Sequence, residues 1–231
     1  MSATDSCPAA ILLDALGTLV ALEPPAPRLR AELAARFDLE VSEEEAARAI
    51  TAEIAYYRAH LDEGRDEASL LLLRRRSAEV LRSALPGDGA DRLPLDPLVE
   101  ALLAALHFIP FPDVRPALEA ARARGQRLVV VSNWDVSLIG VLRALELESL
   151  LDGIVTSAGA GARKPAPAIF EQALALAGVP AADATHVGDT LDEDVAGARA
   201  AGIDPVLIRR GGGPAVPGVR TISSLAELAP A

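Results

Sequence analysis

The sequence predicts an α/β fold, a doubly wound parallel sheet interrupted by an inserted all-helical domain, and three observations predict it. Short, nearly continuous apolar runs alternate with amphipathic stretches toward both ends of the chain, residues 22–107 carry helical spacing without a convincing strand, and proline clusters fence that block on both sides. Apolar runs without polar alternation suit strands covered on both faces, as in a parallel sheet with helices above and below. The expected organisation is therefore a core of residues 1–21 and 108–231 with a helical cap domain of residues 22–107.

The elements follow in order. The strands read "AILLD" within residues 9–14, "RLVVVSN" at 127–133, "GIVTS" at 153–157, "THVGD" at 185–189 and "DPVLIRR" at 204–210. Between them lie "VRPALEAARARG", "DVSLIGVLRALEL", "PAIFEQALALAG" and "LDEDVAGARAAG", each with helical spacing and mostly ending near glycine. The inserted block reads as four helices, "RLRAELAARF", "SEEEAARAITAEIAYYRAHLDEG", "EASLLLLRRRSAEVLRSAL" and "DPLVEALLAALHF", bounded by "EPPAP" at 23–27 and "IPFP" at 109–112. The stretch "RRGGGPAVPGVR" reads as a loop before a last short strand and helix.

Composition narrows the classes of function. Hydrophobic residues make up 51% of the chain but aromatics only 3%, so the interior is built from Ala, Leu and Val. A net charge of −11 argues against nucleic acid and anionic membrane surfaces as partners, and leaves room for a small anion in a local pocket of opposite sign. No run reaches the roughly 20 apolar residues that a membrane span needs, and the start lacks a signal-peptide pattern, so a cytoplasmic protein is expected, as monomer or homodimer. The single Cys7 excludes an intrachain disulfide. Among 22 basic residues only Lys164 is a lysine, which marks a position where a compact ammonium is wanted.

Ligands of open α/β sheets bind beyond the carboxyl ends of the strands, and polar residues gather there in this sequence. Asp14 ends the first run, Ser132 and Asn133 the second, "GARKPAP" follows the third, and Asp189 ends the fourth with Asp192, Glu193 and Asp194 behind it. Asp14, Asp189 and Asp194 would form a carboxylate cluster that calls for a hard cation, for which Mg²⁺ fits. Ser132 and Lys164 would hold an anionic substrate opposite that metal, and Asp14 becomes a candidate nucleophile.

The arrangement resembles the haloacid dehalogenase superfamily over nearly the whole chain. Its four motifs are matched in order by "LLDALGTL", by Ser132 in "VVVSN", by Lys164 in "RKPAPAIFEQAL" and by "VGDTLDED", with a helical cap between the first two. The resemblance implies a nucleophilic Asp14 oriented by Thr18, anion binding by Ser132 and Lys164, and Mg²⁺ held by Asp14, Asp189 and the backbone carbonyl of Leu16. Asp194 is implied to support or join the metal shell. The first motif departs from the family's phosphatases, whose second Asp protonates the leaving alcohol and then activates water; here that position is Leu16. Loss of such a positioned acid/base typically costs about 10² to 10⁴ in rate.

Three readings remain open at this point. The leading one is Mg²⁺-dependent hydrolysis of a small phosphorylated metabolite, slow or restricted to good leaving groups such as acyl or aryl phosphates. The alternatives are a 2-haloacid dehalogenase-type hydrolase, whose halide departs without a proton, and a catalytically weak binding protein. In the cap, Tyr57 and His60 lie three residues apart on one helix, and Tyr57 with Arg58 are candidates to line the substrate entrance. Trp134 is placed either on the pocket floor or in the packing beside it. His186, within a strand, reads as a hydrogen-bonded core histidine.

Overall fold

The computed structural model describes residues 7–87 and 89–229. A six-stranded sheet is built from β1 (Ala10–Leu13), β4 (Arg127–Ser132), β5 (Gly153–Thr156), β6 (Ala184–Gly188), β7 (Asp204–Ile208) and β8 (Arg220–Ile222), in the spatial order β5-β4-β1-β6-β7-β8. All five adjacent pairings are parallel. β2 (Val20–Leu22) and β3 (Phe108–Pro110) pair separately as a two-stranded ribbon.

The chain divides into two compact units, one comprising Met1–Ala21 with Pro110–Ala231 and the other Leu22–Ile109. The second unit contains α1 (Pro25–Phe37), α2 (Glu43–His60), α3 (Glu67–Ala84) and α4 (Leu95–Ala105). Local chemistry explains where they begin. Proline opens α1, where its missing N–H is no loss, and Ser42 with Glu45 forms a capping box ahead of α2. Asp66 with Ser69 does the same for α3. The four helices bury a shared core of Leu29, Leu33, Ile50, Leu81, Leu98 and Leu102 among smaller residues.

In the first unit the helices are α5 (Val114–Ala123), α6 (Leu138–Ala144), α7 (Ser157–Ala160), α8 (Pro167–Ala177) and α9 (Ala196–Ala200). One side of the sheet packs Leu12, Val129, Val131 and Val155 against Ile169, Phe170 and Ala173 of α8. β1 and β4 are buried along almost their full length, as the unalternated apolar runs require. Two elements differ from the sequence expectation. "LDEDVAGARAAG" does not enter an α-helix directly: Leu191–Val195 form a wider π turn that passes into α9. The expected last helix is a four-residue 3₁₀ turn, Leu225–Leu228, because Pro230 follows within one turn and leaves too few residues for an α-helix.

This topology places the site. The chain runs outward from β1 through β4 to β5, then returns to β6 on the other side of β1 and continues through β7 to β8. The order reverses at β1, so a crevice opens at its carboxyl end between β4 and β6.

Candidate active site

Asp14 is the first residue past β1, and its amide donates to the Val187 carbonyl of β6 at 2.9 Å. The chain then turns tightly: the amides of Leu19 and Val20 both donate to the Ala15 carbonyl, at 2.8 and 2.9 Å, and Gly17 donates to Val20 at 2.8 Å. Gly17 sits at φ 79°, and a Cβ there would lie 2.1 Å from Asp189 Oδ2, so only glycine fits between the two acidic loops. Gly188 is equally constrained, since a Cβ would meet Asp194 Cγ at 2.1 Å.

The polar residues at the strand ends converge. Ser132 Oγ donates to Asp14 Oδ1 at 3.0 Å, and Lys164 Nζ donates to the same oxygen at 2.6 Å. The lysine also donates to Asp194 Oδ1 at 2.6 Å, while being only 2% exposed itself. Asp14, Asp189 and Asp194 each present a carboxylate oxygen within 4.8 Å of the others. Ser132, Lys164 and Asp194 are buried, and Asp189 is the acid that reaches solvent.

The charges show what this costs. Burial works against the Lys164 ammonium, but Asp14 and Asp194 together hold its pKa above the ordinary lysine value. Against its own burial, Asp194 is held well below the usual carboxylate range by Lys164 and by His186. Asp189 is pushed up to about 6 by burial and by the Asp14 and Asp194 charges. Burial first, and then the Asp194 charge, raise Asp14 against the lowering by Lys164 and Ser132. Three acids against one lysine leave a surplus of negative charge in a confined space. Such a donor set fits a hard, oxygen-seeking divalent cation.

Several side chains hold this set in place. Asn133 clamps the main chain of Lys164 with a reciprocal pair, Nδ2 to the Lys164 carbonyl at 3.1 Å and the Lys164 amide to Oδ1 at 2.7 Å. Asn133 thus contacts the lysine's backbone and positions it. His186, fully buried in β6, is bonded through Nε2 to Asp194 Oδ1 at 2.9 Å. Thr190 donates its amide and hydroxyl to Asp194 Oδ2 at 3.0 and 2.7 Å. Asp194 is therefore engaged on both oxygens, and the π turn is what carries it inward. The sequence signal for Thr190 was present in the Thr-x-x-x-Asp spacing; that for Asn133 acting on Lys164 was not, because the two are 31 positions apart.

Thr18, expected to orient Asp14, has a buried hydroxyl that makes no hydrogen bond, so any such role runs through its backbone. The tight backbone turn already fixes that geometry, and the Thr18 carbonyl accepts from Arg210 Nη2. The half-buried Leu16 presents no ionisable group at the second position of the turn. Trp134 is buried, and its carbonyl accepts from the Ala158 amide at 3.2 Å.

Tyr57 and Arg58 lie in the helical unit. Tyr57 is half-buried and Arg58 exposed on α2. The stacked pair on that helix is Tyr56 with His60, at 4.1 Å between ring centroids and at i, i+4 spacing. No helix among the described residues is long and apolar enough to cross a membrane.

Comparison with known proteins agrees with this geometry. The chain is 34% identical over 214 residues to the glyceraldehyde 3-phosphate phosphatase of Methanopyrus kandleri, covering 87% of this chain and 84% of that protein. It is 40% identical over 122 residues to haloacid dehalogenase-like hydrolase domain-containing protein 3 of Danio rerio, a match that spans 51% of this chain and only half, 50%, of that relative. Among solved structures, a HAD phosphatase from Thermococcus onnurineus superposes with a TM-score of 0.66 at 25% identity, covering 95% of each chain. A 2-haloacid dehalogenase from Pseudomonas syringae superposes equally, at 0.66 and 26% identity, again over 95% of both. The family of haloacid dehalogenase-like hydrolases matches residues 8–202, and this chain belongs to it.

Proposed function

We propose that this hydrolase cleaves a small phosphorylated metabolite with the help of Mg²⁺, using Asp14 as nucleophile, and that it favours substrates whose leaving group departs without a proton. The observation that carries the reading is the convergence of Asp14, Lys164, Asp189 and Asp194, all but Asp189 buried, beside a turn whose second position is Leu16. The likeness to the Methanopyrus kandleri phosphatase supports a phosphorylated substrate.

The residues divide the work as follows. Both hydrogen bonds to the Asp14 carboxylate fall on Oδ1, so Oδ2 is the oxygen available to attack phosphorus. Lys164 offsets the charge of the attacking carboxylate and, with Ser132, lies where the transferred group's oxygens need donors. Attack forms an Asp14 acyl-phosphate bond while the bond from phosphorus to the leaving oxygen breaks. Water then cleaves the acyl phosphate and frees inorganic phosphate. Asp14, Asp189, the Leu16 carbonyl and, in support, Asp194 would hold the Mg²⁺, which when bound would screen the phosphate charge from the carboxylates. Leu16 supplies no proton to the departing oxygen and no base to the water. Acyl and aryl phosphates need neither as much as alkyl phosphates do.

Leu16 also favours a second reading, dehalogenation of a small 2-haloacid, since halide leaves unprotonated. The cluster of three acids favours the phosphate reading, because such a donor set fits a divalent cation and halide displacement needs none. The test is a panel of acetyl phosphate, p-nitrophenyl phosphate, glyceraldehyde 3-phosphate and 2-chloropropionate, with and without Mg²⁺, and with Asp14→Asn as blank. Metal-dependent phosphate release that vanishes in the blank is the expected result. Chloride release without metal would replace it with the second reading. Mg²⁺ binding without turnover of any compound would make the chain a binding protein.

A further inference from the structure

A single arginine ties the nucleophile's turn to three remote segments. Arg210, just past β7, places its Nη1 at 2.7 and 2.6 Å from the two carboxylate oxygens of Asp113, and its Nη2 donates to the Thr18 carbonyl. Its guanidinium carbon lies 4.2 Å from the centroid of the Phe111 ring. Asp113 Oδ2 in turn accepts from the Ser224 hydroxyl and the Leu225 amide, both at 2.7 Å. Phe111 closes the circuit by donating its amide to the Leu19 carbonyl at 3.1 Å. Arg210 and Asp113 are mostly buried, with side chains 14% and 20% exposed.

We infer that Arg210 is a positioning residue for the Asp14 turn, its planar fork fixing the Thr18 carbonyl from behind so that the nucleophile is held at one setting relative to Lys164 and Ser132. The inference rests on the reading of Asp14 as nucleophile. The Thr18 hydroxyl makes no hydrogen bond, so the guanidinium is the side-chain partner that holds this residue. Stacking on a ring while donating in one plane to a carboxylate and a carbonyl suits a guanidinium; an ammonium keeps the charge and loses the plane. A displacement of the turn by a fraction of an ångström would misplace the attacking oxygen without changing the groups that bind substrate.

Arg210→Gln and Arg210→Lys in the full chain test this, with p-nitrophenyl phosphate and Mg²⁺ as the assay and amide hydrogen exchange as the second readout. In both variants kcat is expected to fall by about 10²-fold while KM stays within about twofold. The amides of Gly17, Leu19 and Val20 are expected to exchange at least about tenfold faster, with those of α2 unchanged. Full kcat in the lysine variant, or unchanged exchange in the turn, would overturn the inference. A uniform rise in exchange across the core, with kcat and KM moving together, would overturn it in favour of a general stabilising role. Should the unmodified protein fail to turn over p-nitrophenyl phosphate, the phosphatase reading is what suffers. Exchange in the turn then decides the role of Arg210 alone.

Discussion

Each of the two units buries acidic side chains, and they treat the buried charge in opposite ways. In the α/β unit, Asp14 and Asp194 share the ammonium of Lys164, and Asp194 has further donors in His186 and Thr190. In the helical unit, Glu53 of α2 is 4% exposed, burial pushes its carboxyl up, and the Ser77 hydroxyl is the one neighbour that opposes the shift. Lys164 and the further donors hold Asp194 in its charged form, whereas Glu53, opposed only by a hydroxyl, moves toward its neutral form; at Asp14, burial and the Asp194 charge outweigh the same lysine. The first arrangement keeps charge available for chemistry. The second makes the acid a polar filler between helices.

The contrast breaks first at Asp14, the proposed nucleophile. Asp14→Asn keeps the shape and removes the charge, and turnover of acetyl phosphate should fall by about 10⁴-fold or more, measured as phosphate release. Retention of a tenth of the rate would mean the buried charge is not used for attack. Next comes the lysine. Lys164→Met leaves Asp14 and Asp194 facing each other uncompensated, so urea unfolding at neutral pH should show a loss of about 3–5 kcal/mol. Mg²⁺ at millimolar concentration should return part of that loss, because a cation bound by the folded state alone stabilises it.

Leu16→Asp sharpens the comparison from the chemical side. It restores a proton carrier on the turn, and hydrolysis of an alkyl phosphate should rise by about 10²-fold or more while that of acetyl phosphate changes little. Equal gains for both substrates would show that leaving-group protonation is not what Leu16 withholds. The smallest effect belongs to the cap. With its folded-state pKa raised above the unfolded value, Glu53 binds more protons in the folded state, so it costs stability as pH climbs past the unfolded value. Glu53→Gln should therefore melt higher than the unmodified protein at pH 8, by about 2–4 °C for each kcal/mol of relieved penalty, and the gap should close toward pH 4. A gap that persists unchanged at pH 4 would assign the gain to packing.

The strands were legible because a parallel sheet covered on both faces demands unbroken apolar runs, and "RLVVVSN" and "THVGD" map onto β4 and β6 nearly residue for residue. The candidate site was legible where each residue ends a strand, as Asp14, Ser132 and Asp189 do. Asn133 and Arg210 were harder. Asn133 acts on the backbone of Lys164, and Arg210 acts on Thr18 from 192 positions away, so neither leaves a spacing in the sequence. The Tyr56–His60 stack was not legible, because i+3 and i+4 neighbours share a helix face and only ring geometry selects between them.

By itself, then, the amino-acid order determined the fold class and the residues that end the strands, because these follow from local periodicity and residue chemistry; that an acid is missing at Leu16 came from the resemblance in the first motif. The tertiary structure decided which groups pair: that Lys164 bridges two carboxylates, that both oxygens of Asp194 are engaged, and that an arginine beyond β7 grips the turn after Asp14. Hydrogen bonds and ion pairs depend on distances of about 3 Å between atoms, and separation along the chain does not encode distances of that kind.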